Sequence, residues 1–498
     1  ALEKDGLPDI IGFSNYIWNL NLSASFADVI KRHHPEVITV LGGPNFPTNV
    51  VEQEEFIRGL PMIDFYVAKE GEVAFAGLVS ALAEAAFDSD LVPEDTPSVA
   101  RITSDGRFLA SAPAERIADL SDIPSPYLDG SLNGFFDGKL LPLVQTNRGC
   151  PFRCTFCVEG VSYYARVSKS KKSTRVRDEL EHIARNMARV RGQHGGRGDM
   201  FIADSNFGMY KEDLDTCRAI GEMQAAYGFP EYINVATGKN QKHRVLEAAR
   251  LVNGAMRLSG SVQSLNQEVL ENIERDNISA PEIMDLALSA SEIGANSYSE
   301  IILALPGDTR ERHFQTIRTI VEADFTNIYL FQLMLLPGTD LAAEDSVRKW
   351  DMKTAYRVLP RCYGRYQCLG EEFAAIEIER ICIGNDSLTF EDYLECRRLH
   401  LIVNVFHNDG VFREILWLLK LLGLSKFDWM KCLYGYAGNA GFVALVDDFV
   451  EETKAELWED EDELRQFVAT DGNIERYVTG ELGSNLIFKY KTLALTSH

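Results

Sequence analysis

Between residues 140 and 340, short apolar runs alternate six times with segments of helical periodicity. The runs lie at 140–144, 199–203, 232–236, 255–258, 299–304 and 327–334. Strands that alternate with helices must pair in parallel, because a crossover of this length returns the chain in the same direction. Six such units predict a curved parallel sheet or partial (β/α)6 barrel, with its chemistry at the carboxyl ends of the strands. Those ends are polar or contain glycine, as in Asp204-Ser205-Asn206, Thr237-Gly238-Lys239, Gly260-Ser261-Val262-Gln263 and Leu305-Pro306-Gly307.

The first strand runs into Gln145-Thr146-Asn147-Arg148-Gly149-Cys150-Pro151-Phe152-Arg153-Cys154-Thr155-Phe156-Cys157. Gly149 and Pro151 break regular structure, so Cys150, Cys154 and Cys157 sit on a loop past the strand end. Ligands this close in sequence can converge on one centre without closing a long loop. Thiolates select zinc or iron–sulfur clusters. A cubane cluster normally takes four thiolates; with three, one iron stays open for another ligand. A structural zinc completed by a distant histidine and three unrelated buried thiols are the other readings of the spacing.

The segment before the barrel has the same grammar. Strands at 9–13, 36–41 and 64–68 are separated by helices near 23–33, 48–58 and 74–86, which predicts a doubly wound sheet. Ligands of such sheets sit at the carboxyl ends of the strands. Here those ends carry Ser14-Asn15-Tyr16, Gly42-Gly43-Pro44-Asn45 and Glu70-Gly71-Glu72. Three strands make a small sheet, so further βα units are expected ahead of Ala1. A hairpin with an Asp105-Gly106 turn spans 97–112, and 113–138 is a linker rich in Pro, Ser, Asp and Gly. The expected division is 1–112, linker 113–138, barrel 139–342 and a mostly helical region 343–498 with helices at 388–406, 412–422 and 444–459. Cys362, Cys368 and Cys382 have irregular spacing and are expected to be buried or free thiols. The basic run from Arg166 to Arg177 is expected to be a solvated face.

Among 498 residues the net charge is -24. A polyanion repels phosphate backbones, so no nucleic-acid partner is expected. Nine cysteines in this scatter are not a secreted disulfide framework, and no apolar run reaches membrane-spanning length. A reducing cytoplasm is the expected setting.

The cysteine spacing, its Arg-Gly lead, Phe156 and the six strand ends in order resemble the radical S-adenosylmethionine (radical SAM) enzymes. The resemblance covers about residues 140–340. It implies a 4Fe-4S cluster on Cys150, Cys154 and Cys157, with S-adenosylmethionine (SAM) at the open iron. It further implies SAM contacts from Phe156, Asp204, Asn206, Lys239, Ser261, Gln263, Ile302, Ala304 and Leu336. Ala304 replaces the usual glycine, and Asp204-Ser205-Asn206 stands where the family has Gly-Gly-Glu. The three N-terminal loops resemble the cobalamin-binding domain that precedes many members. That likeness implies contacts from Ser14, Asn15, Tyr16, Gly42, Gly43, Pro44, Asn45, Glu70 and Gly71, with Tyr16 where Leu is usual. The implied activity is transfer of a methyl group from methylcobalamin to an unactivated carbon of a small or medium organic substrate. A flavodoxin or ferredoxin would supply electrons. A rearrangement, cyclisation or oxidation on the same architecture is the alternative.

Overall fold

A computed structural model of the chain describes residues 6–172, 174–194, 196–238, 240–276, 280–292, 295–470 and 472–497. Strands β1 (Ile10–Ser14), β2 (Ile38–Gly42) and β3 (Phe65–Val67) pair in parallel, in register Ile10↔Ile38 and Val40↔Phe65. Helices α1 (Leu20–His33), α2 (Val50–Arg58) and α3 (Gly71–Glu84) connect and follow them. Both faces of β2 and β3 are buried, as a doubly wound sheet requires. The hairpin of β4 (Val99–Ile102) and β5 (Phe108–Ala110) continues this sheet antiparallel from β3, giving the order β1-β2-β3-β4-β5.

The barrel strands are β6 (Leu143–Val144), β7 (Asp199–Phe207), β8 (Tyr232–Thr237), β9 (Leu258–Ser259), β10 (Ser297–Leu303) and β11 (Asn327–Gln332). Their neighbours follow chain order and all pairs are parallel. The fourth strand is shorter than expected because its pairing is split. Met256 bridges to Ile233 on one side, while Leu258 and Ser259 pair with Ser297 and Tyr298 on the other. Helices α4 (Arg175–His194), α5 (Lys211–Tyr227) and α6 (Lys242–Leu251) cover the first half. The second half carries α7 (Gln267–Asn272), α8 (Ala280–Glu292) and α9 (Arg310–Glu322). On β10, Ser297, Ser299, Ile301 and Leu303 are buried in strict alternation, the period-two pattern of a strand.

Within residues 345–387, to which the sequence assigned no element, β12 (Lys353–Cys368) and β13 (Glu371–Gly384) form a long hairpin. It extends the barrel edge: the Leu335 N–H donates to the Arg380 carbonyl and the Cys382 N–H to Leu333, each at 2.9 Å. It also reaches the first sheet. Glu377 accepts the N–H groups of Asn21 and Leu22 at 2.9 Å each, placing a carboxylate on the positive N-terminal end of α1. Asn19, the residue at that end, makes no side-chain cap of its own. Helices follow from α10 (Phe390–Phe406), as expected for the C-terminal region, and pack on α9 and β11 in one apolar cluster. Cys368 and Cys382 lie in different apolar clusters: Cys368 packs with Val29 and Ile30, whereas Cys382 packs with Leu303 and Tyr393. Among the described residues no helix is long and apolar enough to cross a membrane.

Candidate functional site

The cysteine loop follows β6 at the carboxyl end of the barrel. Cys150 and Cys154 are buried and Cys157 is half-buried. The loop is tied on several sides. The Cys150 N–H donates to the Tyr164 carbonyl at 3.0 Å, the Thr155 N–H to Ile273 at 3.1 Å and the Leu341 N–H to Thr155 at 2.9 Å. The Cys157 N–H returns to the Cys154 carbonyl at 3.0 Å, and Gly160 then folds over the same segment. A Cβ at Gly160 would lie 2.1 Å from the Cys154 carbonyl oxygen, so the close approach demands glycine.

Strand β7 runs to Phe207 rather than stopping at 203, and this sorts its polar end by strand alternation. Asp204 and Asn206 are buried on one side, towards the cysteine loop. Asp204 accepts the Thr146 N–H at 2.7 Å, the Asn147 N–H at 3.2 Å, the Asn147 side-chain amide at 2.8 Å and the Thr146 hydroxyl. Burial pushes its carboxyl up to about 7, against the pull of those donors. Asp204 is thereby occupied in fixing the strand end from which the cysteines depart, and it does not line the adjoining pocket. Asp204→Ala strips the partners from several buried donors, each costing about 1–3 kcal/mol. Denaturant unfolding is expected to report a loss of roughly 3 kcal/mol or more, and an unchanged midpoint would refute this anchoring role. Asn206 gives its side-chain amide to Cys150 Sγ at 3.2 Å, and its own Oδ1 is buried without a partner.

Beside Cys157 lies a pocket lined by Phe156, Ser205, Gly238, Lys242, Ser261, Gln263, Arg275 and Glu300, among others. Of the expected SAM contacts it brings together Phe156, Ser261 and Gln263. Asn206, Ile302, Ala304 and Leu336 are not in its lining, and Lys239 lies outside the described residues. Ala304 does adopt φ +69°, a conformation in which glycine is usual. Lys242 Nζ and Gln263 Oε1 are buried without hydrogen-bond partners in the protein, and burial lowers the Lys242 pKa. An ammonium donor and a carbonyl acceptor left open in one pocket fit a ligand that carries both carboxylate and ammonium groups. Lys242 and Arg275 were missed in the sequence. Lys242 has a legible signal, since it opens the helix after the third strand; Arg275 has none, because only folding brings the turn after α7 to the cysteines.

Among the described residues no three His, Cys, Asp or Glu side chains converge on one metal ion.

A second cavity, of about 700 Å3, separates the first sheet from the barrel mouth. Gly43, Pro44, Phe46, Lys69, Arg153 and Tyr164 are among its walls. Of the expected cobalamin contacts, Gly43 and Pro44 face it. Ser14, Asn15, Tyr16, Gly42, Asn45, Glu70 and Gly71 do not line it. Asn15 and Asn45 are joined by two side-chain bonds, Asn15 Nδ2 to the Asn45 carbonyl at 2.6 Å and Asn45 Nδ2 to Asn15 Oδ1 at 3.0 Å. Asn15 also donates to the Tyr66 hydroxyl at 3.0 Å, so these loops brace one another. The Ser14 hydroxyl accepts from Asn19 at 2.8 Å, and Tyr16 stacks on Trp18. Glu70 accepts from Arg116 of the linker, and Glu72 pairs with Arg148 of the cysteine loop at 2.7 Å. The acids at this strand end thus join the sheet to the barrel. The basic segment from Arg166 is neutralised in part: Lys169 pairs with Glu212, Arg175 with Glu179 and Arg177 with Glu222.

Comparison with known proteins agrees with this geometry. Residues 144–320 match the Radical SAM superfamily model. The chain is 30% identical over 362 residues to "Cobalamin-dependent radical SAM methyltransferase TokK" of Streptomyces tokunonensis, covering 70% of this chain and 50% of that protein. It is 28% identical over 411 residues to the "2-(S-pantetheinyl)-carbapenam-3-carboxylate methyltransferase" of Streptantibioticus cattleyicolor, covering 80% and 57%. The chain thus spans about half the length of these curated relatives. The fold is similar to that of the cobalamin-dependent SAM radical enzyme OxsB, solved with aqua-cobalamin and SAM bound. The TM-score is 0.53 at 14% identity, over 98% of this chain and 72% of that one. With their cysteine loop at the carboxyl end of six parallel strands, residues 144–320 form a radical SAM domain.

Proposed function

We propose that this chain is a cobalamin-dependent radical SAM methyltransferase that acts on an unactivated carbon of a small or medium organic molecule. The observation that carries the reading is the pairing of two compartments. A polar pocket with open donor and acceptor groups adjoins the three cysteines, and a larger cavity opens between the same loop and the first sheet. The cofactor chemistry is one-electron reduction and SAM cleavage by the cluster, with a corrinoid as methyl carrier.

The protein's own part is to bind, orient and exclude water. Cys150, Cys154 and Cys157 hold the cluster. Lys242, Gln263, Ser261 and Phe156 receive SAM, Lys242 acting as a point charge for its carboxylate. Gly43, Pro44, Lys69, Arg153 and Tyr164 form walls for the corrinoid. The relatives' names support methyl transfer as the outcome. The charge of -24 favours a substrate other than nucleic acid, and a low-potential flavodoxin or ferredoxin would supply the electron.

The test is the full chain purified without oxygen from cells given cobalamin. The expected result is one cubane's iron and sulfide plus about one corrinoid per chain. Turnover is then expected to yield S-adenosylhomocysteine together with 5′-deoxyadenosine. Zinc in place of iron sinks the reading, and iron without corrinoid removes its methyl-transfer half.

A further inference from the structure

We propose that Arg275 sets the reduction potential of the cluster through a charged hydrogen bond to Cys154. This rests on the cluster assignment made above. Arg275 is only 5% exposed. It lies just past α7, in the turn that supplies the Ile273 carbonyl for the Thr155 N–H. One arm of its guanidinium points at Cys154 Sγ at 3.6 Å. The other arm donates to the Ser261 carbonyl, and the group lies 6.0 Å from the centre of the Phe156 ring. The backbone N–H of Arg275 donates to Leu270 at 2.9 Å. The planar fork is therefore aimed from both ends, at a sulfur and at a barrel loop, with little freedom to turn away.

A guanidinium keeps its charge even where water is scarce. Reducing the cluster adds one electron from an external low-potential reductant, with no bond formed or broken. The anionic charge on the cluster and its thiolates increases by one. A fixed cation hydrogen-bonded to one of those thiolates stabilises the more negative state, and in a buried site that effect is weakly screened. Hydrogen bonds to the sulfurs and net charge are among the factors that set cluster potentials. The amide of Asn206 on Cys150 acts in the same direction without a full charge, so its share is smaller. Arg275 is in this sense a positioning and tuning residue; it needs no contact with the substrate.

A purely structural Arg275 would staple the cysteine loop and leave the potential alone, so the potential is the measurement. The experiment is an anaerobic redox titration of the full chain without SAM, following the reduced cluster by electron paramagnetic resonance. Iron, sulfide and thermal unfolding are measured on the same samples. In R275Q the reduced-to-oxidised ratio at a fixed applied potential is expected to fall at least tenfold. For one electron that is a downward shift of about 59 mV. R275K keeps a charge but cannot span both partners, and its shift is expected to be smaller and in the same direction.

R275Q that loads a full cluster at the wild-type potential overturns the proposal. So does folded R275Q that loads no cluster, because Arg275 would then hold the loop rather than tune it. If R275Q does not fold, R275K decides: a lowered potential supports the proposal and a wild-type potential overturns it. Failure of the cluster assignment itself looks different, because the wild-type chain would then hold no cubane and give no titration.

Discussion

Replacing Cys154 by alanine is expected to abolish cluster assembly and SAM cleavage while corrinoid uptake persists. Cys154 is the most deeply buried of the three cysteines, at 2% exposure. Its sulfur faces the Arg275 guanidinium and its carbonyl closes the turn from Cys157. With three thiolates for a cubane, no spare ligand in the loop replaces a lost one. The effect on SAM cleavage is expected to exceed the roughly 10- to 100-fold that loss of an outer supporting partner costs. The cavity proposed for the corrinoid draws its walls from the loops after β2 and β3, the β4–β5 hairpin, residues 158–164 and the 338–340 turn, and of the cysteine loop only Arg153 contributes, so its occupancy is expected to stay near wild type. Iron, sulfide and corrinoid per chain, with 5′-deoxyadenosine formation, check both halves. Retained cleavage would remove the cluster assignment, and joint loss of cluster and corrinoid would refute the independence of the two compartments.

Gly160→Ala is expected to empty the cluster site without touching a ligand. The added methyl would lie 2.1 Å from the Cys154 carbonyl oxygen, 3.0 Å from its carbon and 3.2 Å from its nitrogen. These are backbone atoms, so no side chain can swing aside. Overpacking of a tight site costs about 1–3 kcal/mol, and here the strain falls on the segment that spaces Cys154 from Cys157. The loop would relieve it by opening, which separates the thiolates. Iron and sulfide content is expected to fall to a small fraction of wild type, with a lowered thermal midpoint. A variant with full iron and the wild-type midpoint would show that the close approach carries no cost.

The six barrel strands were legible because each is an apolar run bounded by turn residues, and their order in the sheet follows from the handed, short connections of βα units. The fourth strand was legible in place but not in length, since its residues split their pairing between two neighbours. The β12–β13 hairpin was hidden for another reason. Residues 375–383 do alternate, Ala-Ile-Glu-Ile-Glu-Arg-Ile-Cys-Ile, yet Glu377 and Glu379 are 3% and 1% exposed. Glu377 serves the N-terminus of α1, more than 350 residues away, and Glu379 meets Arg357 across the hairpin at 2.6 Å. Acids usually mark a solvent face; here distant partners bring them inside.

The candidate site divides in the same way. The sequence by itself determined that three thiols share one loop at the mouth of a parallel barrel, because ligand spacing and strand–helix alternation are local properties of the chain. Only the tertiary structure decided what each polar strand end does. Asp204, expected at the ligand, accepts hydrogen bonds from Thr146 and Asn147 at the strand end behind the cysteines, because β7 runs on and alternation turns its side chain inward. Lys242 and Arg275 enter the pocket from two different barrel connections. Arg275 meets Cys154 across 121 positions of sequence, a separation that no local pattern encodes and that barrel closure alone removes.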